Sequence, residues 1–201
     1  MTRAALSLSA VLAGCTVFAA KADHSNLFLL TATHSQRGAE VPLVVGIGEV
    51  TLPDYLDRSQ IVTRQGENRI ALADLDRWGE PLRDGFARTL RLDLATELGS
   101  EHAVAQARHG AGNVDLVISV DVVRFERVTS NRVELAARWW VRDAHSGGRL
   151  LERESHVLVP ISSADTEAAV AALSLALATM SDDIAKGIRE VAPQVATGTP
   201  R

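Results

Sequence analysis

The stretch NRVELAARWWVRD, residues 131–143, decides the fold class because its residue types alternate with a period of two. Apolar side chains at every second position lie on one face of a strand, and the charged ones lie on the other. The apolar set is Val133, Leu135, Ala137, Trp139 and Val141. The pattern predicts a half-buried strand, and it leaves Trp140 on the polar face, either partly exposed or covered by another element.

Similar segments flank this strand. A β-branched run at 114–128 precedes it, and a third strand candidate at 150–159 follows the glycine turn of 144–149. Three such strands predict an antiparallel meander. Upstream, shorter strand candidates lie at 27–30, 42–52, 60–63 and 68–75. The segment 102–113, rich in alanine, glycine and histidine, is predicted to be a loop.

Two amphipathic helices are expected beside these strands. The first has Asp74 or Asp76 as a candidate cap and Pro81 in its first turn. Its apolar row is Leu82, Phe86, Leu90, Leu94 and Leu98, and its predicted solvated face is Arg83, Asp84, Arg88, Arg91 and Asp93. The second helix, from Ser163 to about Val191, carries an apolar stripe at three-or-four spacing. These elements predict an α+β domain in which two long amphipathic helices pack on a mixed, largely antiparallel β-sheet.

The composition argues against several functional classes. The net charge is −4 and the chain has no run of lysine or arginine, which disfavours a nucleic-acid binder. A single cysteine excludes an internal disulfide framework and a multi-cysteine zinc site. Acidic pairs such as Asp182-Asp183 are interpreted as caps or solvated residues. No short metal-binding histidine pair and no nucleophile-elbow motif is present. We therefore expect a protein that is not an enzyme and has no metal site.

The N-terminus has the pattern of a secretory signal peptide. One positive charge at Arg3 precedes an apolar run at 4–13. The run extends at most to Ala20, which is shorter than the ~20 residues that a transmembrane helix needs. An ordinary signal peptide, cut after Ala20 or Ala22, is one interpretation.

The other interpretation comes from a resemblance. The sequence Leu12-Ala13-Gly14-Cys15 at the end of the apolar run resembles the lipobox of bacterial lipoproteins. The resemblance implies that the chain is cut before Cys15 and that the Cys15 sulfur carries the lipid. Because residue 16 is threonine and not aspartate, the resemblance also favours the periplasmic face of the outer membrane over the inner membrane.

Two further stretches point to a family. VGIGEVTLPDYLDRSQIVTR (45–64) and NRIALADLDRWGEPL (68–82) resemble the ABC-type transport auxiliary lipoprotein family. The resemblance implies a periplasmic partner of a mammalian-cell-entry system that moves lipids between the two membranes. Such a lipoprotein would dock on the periplasm-spanning substrate-binding protein, would form homo-oligomers and would need no cofactor. The main alternative is a stand-alone periplasmic lipoprotein that binds a small apolar ligand or assists envelope assembly.

Aromatic and arginine side chains are enriched at protein interfaces, and those in the matching stretches are the candidate contact residues. The candidates are Pro53, Tyr55, Leu56, Arg58, Ile61, Val62, Arg64 and Trp78. An equally favoured alternative makes Tyr55, Leu56, Ile61 and Trp78 core residues that the arginines cover. The predicted organisation is a signal peptide at 1–14, the lipidated cysteine and tether at 15–26, the domain at 27–192 and a disordered tail at 193–201.

Overall fold

The chain forms eight strands and two helices over the residues that a computed structural model describes, which are 24–33, 37–99, 104–106, 114–129 and 131–196. The strands are β1 (Asn26–Phe28), β2 (Val45–Thr51), β3 (Gln60–Arg64), β4 (Ile70–Trp78), β5 (Val104–Gln106), β6 (Leu116–Thr129), β7 (Arg132–Asp143) and β8 (Arg149–Pro160). The helices are α1 (Leu82–Glu97) and α2 (Thr166–Ala196). The predicted signal peptide, its lipobox Leu12–Cys15 and most of the tether lie outside the described residues.

One mixed sheet contains all of these strands. The strands β6, β7 and β8 form the predicted antiparallel meander, which supplies the two longest ladders of the sheet. The other edge of β6 is shared, because β2 pairs with its first half and β3 meets it at one position near its end. The pairs β1–β4, β2–β5, β2–β6 and β3–β6 are parallel. The predicted α+β class with a mixed sheet is therefore confirmed.

Burial follows the alternation along β7. The five apolar positions are buried, with Trp139 0 % exposed. The ring of Trp140, on the other face, is half-buried and lies under the guanidinium of Arg149 at 5.5 Å. The segment 102–113 is not entirely a loop, since Val104–Gln106 forms β5 at the edge of the sheet. Three residues are too few for periodicity to reveal such a strand.

The first helix buries its predicted apolar row, including Leu98 just beyond its end. Its cap was wrongly predicted: Pro81 occupies the N-cap without a side-chain hydrogen bond, and Asp74 and Asp76 lie in β4. The solvated face was also wrong at Asp93, which is 0 % exposed. Asp93 Oδ1 accepts the backbone N–H of Thr33 at 3.0 Å, so a buried carboxylate holds an extended segment against α1.

The second helix begins behind an acidic cap and runs further than predicted. Asp165 accepts the N–H of Ala168 at 2.7 Å. The pKa of Asp165 is lowered, mainly by the Ser163 hydroxyl and then by that N–H. The helix continues through Pro193 to Ala196, so the first four residues of the predicted tail are helical. By length and composition the helix could cross a membrane, but 67 % of its most apolar window is buried in the domain.

Helix α2 packs closely on the sheet where Gly187 lies against the side chain of Trp139. A Cβ added at Gly187 would lie 2.8 Å from Cη2 of Trp139 and 2.7 Å from Cδ2 of Leu151. The indole N–H of Trp139 donates to Ser155 Oγ at 3.1 Å, and Ser155 donates to Asp183 on α2 at 3.1 Å. Close packing and a hydrogen-bonded relay therefore fix the helix at one point on the meander.

We predict that Gly187→Ala destabilises the domain although alanine is the better helix former. The clash with a buried indole costs about 1–3 kcal/mol or more, and the propensity gain offsets about 1 kcal/mol of this cost. The expected net loss is therefore up to about 2 kcal/mol. Chemical denaturation of the purified chain measures the change.

The matched control is Gly85→Ala in α1. Its new Cβ would meet mainly the flexible carboxylate end of Glu80, at 3.0 Å. We expect this variant to be neutral or more stable than the wild type. Equal effects of the two substitutions would contradict the role assigned to the Gly187 contact.

Candidate partner interface

The residues between β2 and β3 form a loop that packs its apolar side chains inward and turns its polar ones outward. A turn closes where the N–H of Leu56 donates to Pro53 O at 2.9 Å. The N–H of Trp78 donates to Ser59 O at 2.7 Å, which fixes the loop to the end of β4. Leu52 and Leu56 are buried beneath it. The loop therefore has a defined conformation against the sheet.

The eight candidate contact residues divide into two groups. Leu56, Ile61, Val62 and Trp78 are 1–8 % exposed and belong to the core. Pro53, Tyr55, Arg58 and Arg64 are half-buried and reach the surface. The core alternative therefore describes Leu56, Ile61 and Trp78, while Tyr55 lies at the boundary. The second group therefore offers most of the surface that a partner could contact without rearrangement of the domain.

A buried ion pair lies beneath Tyr55. Nε of Arg64 donates to Oε1 of Glu126 at 2.5 Å, and the Glu126 side chain is 0 % exposed. The Arg64 guanidinium also donates to Glu67 O at 3.0 Å and lies 5.7 Å from the centroid of the Tyr55 ring. Oε2 of Glu126 has no hydrogen-bond partner within the described part of the chain. Removing Arg64 would leave a buried charge without its counter-ion.

This environment changes the acidity of Tyr55. Burial, and then the hydrogen bond and negative charge of the neighbouring Glu126 carboxylate, raise the pKa of Tyr55 from 10.0 to about 12, because burial disfavours any charge and the carboxylate favours the protonated hydroxyl. The hydroxyl is therefore neutral at physiological pH and belongs to the Arg64–Glu126 cluster. No local sequence pattern predicts this cluster, since Glu126 lies in a β-branched run 62 residues from Arg64.

A small cleft opens beside the loop. It has a volume of about 400 Å³ and lies between the loop, the end of β4 and the start of α1. Its lining includes Arg58, Trp78, Pro81 and Leu82. Nε of Arg58 is buried and has no hydrogen-bond partner among the residues with described positions. An apolar cleft beside a half-buried arginine suits a partner that brings apolar side chains and an acceptor group. Across the described ranges, no group of three or more histidine, cysteine, aspartate or glutamate side chains could hold a metal ion.

The Tyr55 environment gives a titration prediction. Tyr55 is the only tyrosine in the chain, so tyrosinate absorbance reports on it alone. We expect a midpoint of about 12 in the folded protein, and a lower midpoint in Glu126→Gln because a negative neighbour is removed. Since the folded pKa is raised, the stabilisation is complete below pH 10.0 and is lost as the pH rises toward about 12. Asp57→Asn, in the same loop, should leave the midpoint unchanged. A wild-type midpoint near 10.0 would contradict the geometry.

Comparisons with known proteins agree with this fold. The structure of protein XCC0632 from Xanthomonas campestris superimposes on this chain with a TM-score of 0.72 at 18 % identity. The superposition covers 87 % of this chain and 100 % of that protein. A second crystal structure, of an uncharacterized protein, gives a TM-score of 0.64 at 22 % identity over 77 % of this chain and 99 % of that one. At these identities the likeness establishes the fold alone.

Sequence comparisons add a family. The intermembrane transport lipoprotein PqiC of Escherichia coli (strain K12) is 22 % identical over 142 residues, which cover 71 % of this chain and 73 % of PqiC. A family model described as "ABC-type transport auxiliary lipoprotein component" matches residues 28–185, well over half of the chain. This family is one of cell-envelope lipoproteins that serve a transport system, and it is not a class of enzymes. The chain belongs to the ABC-type transport auxiliary lipoprotein family.

Proposed function

We propose that this chain is a lipid-anchored auxiliary subunit of a system that moves lipids between the inner and outer membranes, and that it docks on the mammalian-cell-entry protein spanning the periplasm. The family match over residues 28–185 is the observation that carries the proposal. In this role the chain positions another protein, catalyses no bond change and needs no cofactor.

The anchor would be the sulfur of Cys15, since it follows Leu12, Ala13 and Gly14 in the lipobox pattern. Each buried CH₂ of an acyl chain contributes about 0.8 kcal/mol, so two or three chains hold a protein stably on a bilayer. From Cys15 to Asn26 there are 11 residues, which span at most about 40 Å when extended. An anchored domain would therefore stay within about one domain diameter of the membrane, here the periplasmic face of the outer membrane.

The docking surface that we favour is the loop of residues 53–59 with its cleft. It combines two half-buried side chains that reach the surface, Tyr55 and Arg58, with a cleft whose apolar lining includes Trp78 and Leu82. Buried aromatic and arginine side chains contribute most of the energy of protein interfaces. A carbonyl or carboxylate of the partner would bind the part of the Arg58 side chain that reaches the surface, while the partner's apolar side chains would fill the cleft.

The anchor prediction concerns Cys15→Ala. Cells supplied with a clickable fatty acid should label the wild-type chain, and the label should be absent from the variant because no thiol remains to carry it. Thr16→Ala is the control and should keep its label. A mature chain that begins beyond residue 15 and is found free of lipid would contradict the anchor.

The docking prediction concerns Arg58→Ala. Loss of a central arginine contact costs about 2 kcal/mol, which corresponds to roughly thirtyfold weaker binding to the purified mammalian-cell-entry protein. The control is Arg153→Ala on β8, whose guanidinium pairs with Glu190 on α2. Binding by titration in detergent should separate the two variants. Equal affinities of both variants and the wild type would argue against this surface.

A further inference from the structure

The first strand of the domain has one unused edge. β1 pairs only with β4 among the described strands, in parallel register from Asn26–Asp76 to Phe28–Trp78. The carbonyl of Phe28 faces β4, because it accepts the N–H of Gly79 at 2.8 Å. Backbone groups of successive strand residues point to opposite edges. The N–H and C=O of Leu27 and Leu29 therefore point away from β4, toward the free edge.

A groove follows this free edge. It has a volume of about 980 Å³ and lies between β1 and the first turns of α2. Val170, Ala171 and Ser174 contribute to its helix side, and the N–H of Thr31 donates to Ser174 Oγ at 3.2 Å near one end. The side chains of Leu27 and Leu29 are 68 % and 51 % exposed. A strand placed here would lie beside a helix and along backbone that has no ladder partner among the described residues, which is the arrangement used for recognition by strand addition.

The groove carries negative charge at the start of α2. Asp76, Asp165 and Glu167 line it there. Asp76 accepts hydrogen bonds from Asn26 Nδ2 at 2.9 Å and from the Thr166 hydroxyl, so its carboxylate is fixed in place. The pKa of Asp165 is lowered, so this group is ionised at neutral pH. A lysine or arginine of an incoming segment would be attracted to this end.

The groove lies close to the proposed docking cleft. Gly79 lines the cleft, and its N–H bonds to Phe28, which lines the groove. A Cβ added at Gly79 would lie 3.2 Å from Cδ2 of Leu29, so the leucine side chain stands at the junction. A partner that binds at the cleft would therefore lie beside β1, with its free edge within reach.

We propose that the β1–α2 groove binds an extended segment of the transport partner by strand addition, and that this segment carries alternating apolar side chains and a lysine or arginine at the end near Glu167. The inference rests on the proposed function, because it identifies how the partner engages this chain. Alternate side chains of the added strand would face Val170 and Ala171 on the helix side, and the others would lie beside Leu27 and Leu29. The mixture of unpaired backbone and acidic side chains favours a peptide over a small apolar ligand.

The test is site-specific photo-crosslinking in the full-length chain, in cells that contain the mammalian-cell-entry protein. Benzoylphenylalanine is placed at Leu29 or Ala171 in the groove, at Asp57 beside the cleft, and at Leu158 on β8 as the distant control. We expect crosslinks to the partner from Leu29, Ala171 and Asp57 but not from Leu158. Mass spectrometry should map the groove crosslinks to a segment of the stated pattern.

The other outcomes overturn different statements. Partner crosslinks from Asp57 alone would overturn the groove and leave the proposed function standing. No partner crosslink from any of the three sites would overturn both. Crosslinks from Leu29 and Ala171 to lipid, or to a second copy of this chain, would overturn the partner segment as occupant.

Two substitutions at Leu27 test the backbone contribution. Leu27→Pro removes an N–H from the free edge while the ladder to β4 remains, which edge strands tolerate. Leu27→Ala removes the side chain and keeps the N–H. Strand addition predicts a loss of partner affinity of about tenfold or more for proline and a clearly smaller loss for alanine, with circular dichroism confirming that both variants fold. Equal losses would overturn the strand-addition mode.

Discussion

The contact of Trp139 with the bare backbone of Gly187 is the constraint on which the rest of the structure depends. It brings α2 close to the centre of the meander, and the relay through Ser155 to Asp183 fixes the rotation of the helix about its axis. Once that point is set, the start of α2 reaches β4, where Thr166 donates to Asp76. The start of α2, which lines the groove at β1, is therefore positioned by the contact of Trp139 with Gly187 on the other half of the sheet.

The parts of the fold that the sequence predicted are those in which one environment repeats along an element. The positions of β7 alternate between core and solvent for its whole length, and the apolar stripe of α2 faces the sheet over most of its turns. A repeated environment selects a repeated residue pattern, which can be recognised without knowing what covers it. The meander and the two helices were predictable for this reason, whereas their ends were less so, as the Pro81 cap of α1 illustrates.

Features that depend on one distant partner could not be predicted. Asp93 has the spacing of a solvated helix residue, but it is buried and accepts a hydrogen bond from the backbone of Thr33, 60 residues away in sequence. Asp76 resembles a helix cap but binds Asn26, 50 residues away, from within a strand. The same limit applies to the candidate interface. Residue type identified Tyr55 and Arg58 as candidates but could not distinguish these surface residues from the buried Ile61 and Val62. The unused edge of β1 follows from strand order, which no local pattern encodes.

The position of β1 in the chain means that force from a membrane anchor would act on this strand. It is the first strand after the predicted tether, so any pull between an anchored Cys15 and the domain would act on a strand of three residues. That strand is supported by the β4 ladder, the Asn26–Asp76 hydrogen bond and the bond from Arg77 to Ser25 Oγ at 2.9 Å. A partner segment added along the free edge would place β1 between two strands. Docking would then strengthen the joint at which the anchor meets the domain, because β1 could leave the sheet only by breaking two ladders.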